Sequence, residues 1–156
     1  VGEDLVVDPI ARALYDEVAA ALPLWVARCV REVAAAQAIL LDDAAALAVE
    51  RAGRAAADDV LPRLARLLET DVDEQRASPL QVVRRAVVHP TAVLRALGAR
   101  PAARDEFERR AFPDDDYRLS PATWVDLGPG VHEAGIVWGA WKAKTVLDRR
   151  RGRETP

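Results

Sequence analysis

The prolines constrain this chain most, because most of them fall inside or at the heads of segments that otherwise have helical periodicity. The sequence holds ten of them. Proline has no backbone N–H, and its ring clashes with the carbonyl four residues back. It therefore starts a helix easily and interrupts one at a cost. Asp8-Pro9 and Ser78-Pro79 have the form of a helix start, a capping side chain followed by proline at the first helical position. After Asp8-Pro9, the residues Ile10, Leu14 and Val18 recur at a spacing of four. Pro23 interrupts, and Leu24, Trp25, Val26, Cys29, Val30, Val33 and Ala34 resume the period. Residues 9–39 are expected to form two helices or one kinked helix.

Asp42 or Asp43 caps a second segment that runs to Ala57. Asp58-Asp59-Val60-Leu61-Pro62 resembles a further start, with Leu61, Leu64 and Leu68 carrying the apolar face onward. Residues 69–77 are charged and poorly periodic, as a loop or hinge would be. The helix opened by Ser78-Pro79 is expected to end near Val88 and restart at Pro90, with His89 bridging the parts, because residues before proline avoid the α region. Arg100-Pro101 opens a shorter helix carrying Ala103, Phe107 and Ala111. Residues 113–117 form an acidic loop, Ser120-Pro121 begins a short turn bearing Trp124, and Gly128-Pro129-Gly130 is a break. A last helix runs from about His132 to Arg149.

No useful stretch alternates apolar and polar residues, and no Asn-Gly or Asp-Gly hairpin turn occurs. The expected fold is all-α: a compact array of five to seven helices, several broken by proline, in one domain over residues 1–156. A short basic tail follows from about residue 149. The prolines argue against four long straight helices. Aromatics are only 5 % of a chain that is 51 % hydrophobic, so alanine fills much of the apolar share and the helices should pack closely.

A formal charge of -3 gives no general attraction to nucleic acid or anionic lipid. The lone Cys29 excludes an internal disulfide and is expected to be a small buried hydrophobe. No apolar run is long enough to span a membrane. Val1-Gly2-Glu3-Asp4 lacks the basic and apolar regions of a secretory signal, so a cytoplasmic protein is expected. The absence of Met and the heavy use of Ala, Arg and Val fit a high-GC bacterial gene.

Catalytic signatures are missing. Ser78 and Ser120 precede prolines as helix caps, and no nucleophile elbow or phosphate loop appears. The two histidines lie apart and outside metal-ligand spacings, and Asp114-Asp115-Asp116 lacks the pattern of a calcium loop, so neither metal nor cofactor is expected. Catalytic residues are unknown, and an enzyme is the less favoured reading. The candidate binding residues are Arg84, Arg85 and His89 at the expected break, and Trp124, His132, Trp138 and Trp141 toward the C-terminus. His89 would cap freed backbone or share a site with Arg84 or Arg85. Trp138 and Trp141 share a side of the last helix, while Ile136, Ala140, Ala143 and Leu147 cover another. Such a wide arc suits a helix buried between neighbours.

Three functions compete. The first is a non-enzymatic protein-interaction or regulatory protein whose partner is another protein or a second copy of itself, as a homodimer. The second is a nucleic-acid-linked regulator using the arginines between 84 and 110. The third is a ligand-binding protein or enzyme with a His/Trp pocket. The missing catalytic signatures and the wide apolar arcs favour the first.

Overall fold

A computed structural model describes residues 6–154; Val1-Gly2-Glu3-Asp4 lies outside them. All regular structure among these residues is helical. The helices are α1 (Pro9–Ala36), α2 (Asp43–Glu69), α3 (Pro79–Arg84), α4 (Val88–Ala96), α5 (Glu106–Ala111) and α6 (Pro129–Glu154), with 3₁₀ turns at Arg85–Val87 and Trp124–Leu127. Since α3 runs through its 3₁₀ turn into α4, five helical bodies make up the array. None of the described helices is long and apolar enough to cross a membrane.

The helix starts follow local chemistry. Asp8 accepts from the Ile10 and Ala11 amides at 2.8 and 3.1 Å, with Pro9 in the first turn. Asp42 accepts from the Ala45 amide at 2.8 Å. Ser78 and Gln81 exchange side-chain and backbone bonds of 3.2 and 2.9 Å, a reciprocal capping box.

Neither interior proline splits its helix: for Pro23 this is the one-helix alternative, while Pro62 does not open the separate helix expected there. Pro23 lies within the 28-residue α1, and Pro62 within the 27-residue α2. Buried faces continue across both: Leu22, Trp25 and Val26 in α1, and Val60, Leu64 and Ala65 in α2. Pro62 itself is exposed, as is Asp58, whose carbonyl loses the i+4 donor that proline lacks. Asp58-Asp59 is thus no helix start. Gly53 is buried where α2 meets α1; a Cβ there would lie 3.2 Å from the Pro23 Cα, so the backbones approach closely at this crossing.

The break in the 79–96 segment comes earlier than expected. Arg85–Val87 tightens to 3₁₀, and α4 begins at Val88. His89 and Pro90 both occupy its first turn, where a missing donor costs least. Arg100-Pro101 opens no helix. The Arg100 amide donates to Gln37 Oε1 at 2.7 Å and the Ala102 amide to the Asp116 carbonyl at 2.8 Å. These tertiary bonds occupy donors that a helix start would leave free, and α5 begins only after Asp105, which accepts from the Glu108 amide at 2.8 Å. The break before α6 is confined to Gly128, at φ 127°. α6 starts at Pro129, and its basic end from Arg149 continues the helix.

α1 contacts α2, α4 and α6. The main core joins Leu14, Val18, Leu22 and Val26 of α1 to Val60 and Leu64 of α2, Val83 and Ala86, and Val131 and Trp138 of α6. A second cluster gathers Val30, Val93, Leu94, Ala99 and Tyr117.

Candidate functional site

The seven residues singled out in the sequence fall into two groups. Arg84 donates to the Pro121 carbonyl at 2.8 Å and the Ala122 carbonyl at 3.1 Å, strapping the loop ahead of Trp124 onto α3. Arg85 donates to Asp59 Oδ1 and His89 Nε2 meets Asp59 Oδ2, each at 2.9 Å, with Arg63 at 3.4 Å. One carboxylate of α2 thus ties together Arg85 and His89 across the helix break. Of the two arginines His89 was expected to join, it shares a carboxylate with Arg85 and not with Arg84. Burial pushes the Asp59 carboxyl up, but hydrogen bonds from His89 and Arg85 outweigh this and hold it below the ordinary carboxylate range.

Arg84 also lines two adjoining clefts of about 330 and 300 Å³, together with Phe112, Asp115 and Ser120. Neither contains a histidine or a tryptophan. Asp115 is 4 % exposed, and its two oxygens accept from the Leu119 and Ser120 amides at 2.7 and 2.8 Å. Arg84 and Asp115 are thus engaged in holding the loop, which leaves these two groups little freedom to orient a ligand.

Most arginines between 84 and 110 are engaged by carboxylates or backbone carbonyls. Arg95 and Arg104 both pair with Asp116, Arg104 also donates to the Phe112 carbonyl at 2.6 Å, and Arg110 pairs with Glu106 at 2.5 Å. Arg109 donates to the Arg104 carbonyl at 2.7 Å. These ties hold the 99–118 segment together.

The C-terminal group is mostly core. Trp138 is 6 % exposed, and Trp124 and Trp141 pack against the same cluster. The Trp124 indole lies on Gly135, where a Cβ would come within 2.6 Å of its Cγ. His132 is half-buried on α6. Lys142 Nζ sits 5.3 Å from the Trp138 ring centroid. Cys29 is buried, and burial pushes its thiol up to about 12, which removes it as a nucleophile near neutrality. Among the described residues, no three of His, Cys, Asp and Glu gather into a metal-holding set.

The outer face of α6 is open. Its inner face, Val131, Ala134 and Trp138 with Trp141 behind, is packed on the body. Beyond it Arg149 pairs with Asp71 and, at 3.1 Å, with Asp73, which ties the helix end to the loop after α2. Two positions along from each inner residue, about 200° around the helix, lies the other part of the apolar arc. It faces solvent: Ile136 is 56 % and Leu147 47 % exposed, and Ala140 and Ala143 between them are exposed too. The periodicity revealed this arc but not that it is uncovered among the described residues. Exposed Glu133 and Arg150 continue the same line. They were missed in the sequence because only apolar residues were followed; the alternating spacing of three and four was the signal.

Comparison of the chain with protein-family models, curated proteins and solved structures finds no match.

Proposed function

We propose that this is a non-enzymatic helical protein that works through protein–protein contact and self-associates. The observation that carries the reading is the apolar outer face of α6, exposed opposite a face of the same helix that packs on the core. Apolar surface left open in this way marks an interaction site when it is contiguous along one element. Support also comes from the chemistry elsewhere. Arg85, Arg95, Arg104 and Arg110 are ion-paired, Arg84 holds a loop, the lone thiol is buried, and in the two clefts at Arg84 the Asp115 carboxylate already has its partners.

Two-fold dimers are the commonest soluble assembly. Sedimentation equilibrium at micromolar concentration should give a mass near twice 17.0 kDa. A mass of 17.0 kDa at every concentration would remove the reading.

A further inference from the structure

We propose that the partner is a second copy of this chain, docked antiparallel along α6 through a short heptad seam. This rests on the self-association reading above and assigns it a surface, an orientation and a register.

The seam is Glu133, Ile136, Ala140, Ala143, Leu147 and Arg150. The intervals are three, four, three, four and three, the a/d repeat of a coiled coil. All six residues are exposed. They span about 25 Å of helix at 1.5 Å per residue. The centre holds two alanines, which let helix axes approach toward the short end of the usual 8–10 Å range. The larger residues lie on either side of them, and Val137, 48 % exposed, flanks the stripe.

The ends decide the orientation. In a parallel pair Glu133 would face Glu133 and Arg150 would face Arg150, and like charges repel at both ends. In an antiparallel pair centred between Ala140 and Ala143, Ile136 meets the partner's Leu147 and Ala140 meets the partner's Ala143. Each Glu133 then meets the partner's Arg150. Among the described residues, neither Glu133 nor Arg150 has an ionic partner within its own chain. The seam is therefore complementary to itself under a two-fold operation, apolar at the middle and oppositely charged at its ends. Charges flanking an apolar seam set orientation more than affinity.

The test is a charge-reversal cycle read by sedimentation equilibrium on the full chain. Glu133→Arg alone and Arg150→Glu alone should each weaken the dimer about tenfold. The double variant should return to within about threefold of wild type, because reversal at both ends restores opposite charges only in the antiparallel register. Ala140→Glu should give monomer with unchanged far-UV circular dichroism, since the position is exposed and glutamate is a good helix former. A double variant no better than the single ones overturns the orientation. A dimer unaffected by Ala140→Glu overturns the surface while self-association stands, and a monomeric wild type overturns both.

Discussion

At the scale of single residues, spacing located groups without showing what they hold. His89 was visible as an imidazole beside proline, and the structure gives it to Asp59, thirty positions earlier on another helix. Its partner was hidden because Asp58-Asp59 followed by Pro62 looks so much like a cap. The carboxylate's consequence is acid sensitivity. Asp59 ionises at lower pH folded than unfolded, so its contribution to stability is present above about pH 4 and lost as pH falls through the lowered folded value. Denaturant midpoints measured through that range should fall with acid, and Asp59→Asn should flatten the fall. Some slope will remain, because the Asp73 amide holds Asp71 down and Arg118 holds Glu108 down in the same direction. A second expectation separates two glycines on one helix. Gly135→Ala drives a methyl into the Trp124 indole and should cost about 1–3 kcal/mol. Gly139→Ala meets nothing within 4 Å and should gain up to about 1 kcal/mol from helix propensity. Thermal melts of the two variants check both signs.

At the scale of elements, the helical period and the caps were legible, and the effect of proline was not. Asp8-Pro9 and Ser78-Pro79 start helices as expected, because capping is decided within four residues. Whether Pro23 and Pro62 end a helix is decided by what the flanking turns bury. That depends on α1 and α2 covering each other, which no local window contains. Pro62 persists inside α2 because Val60 and Leu64 are fully buried on either side of it. Pro62→Ala should then restore a bond to the Asp58 carbonyl, relieve the ring clash, and stabilise the fold by about 1 kcal/mol or more. A lowered melting temperature would mean that the helix is shaped around the proline. The Arg100-Pro101 segment failed for the converse reason: Gln37 and Asp116 claim its backbone donors from a distance.

At the scale of the whole molecule, an all-α array was readable from the absence of alternation and hairpin turns, and the core from the apolar period. The candidate surface was half readable. The arc through Ile136, Ala140, Ala143 and Leu147 stood out in the sequence, where its width implied burial on every side. The structure packs only the tryptophan side. Exposure is a property of the assembled body, so the same residues serve as core or as interface depending on what packs there. Cys29 follows the same logic at its site: buried and raised to about 12, it should resist alkylation at neutral pH until the protein unfolds. Rapid labelling of the native protein would show that the core opens.

Pairing of the α6 faces is tested most directly by cross-linking. Ala140→Cys and Ala143→Cys proteins, each with Cys29→Ala, are mixed and oxidised. Disulfides form only between residues whose Cα atoms come within about 7 Å. Antiparallel pairing brings position 140 of one copy to position 143 of the other, so the mixed disulfide should dominate. Leu24→Cys, exposed on α1, should give little product with either protein. A mixed disulfide no more abundant than the product formed with Leu24→Cys would contradict the pairing.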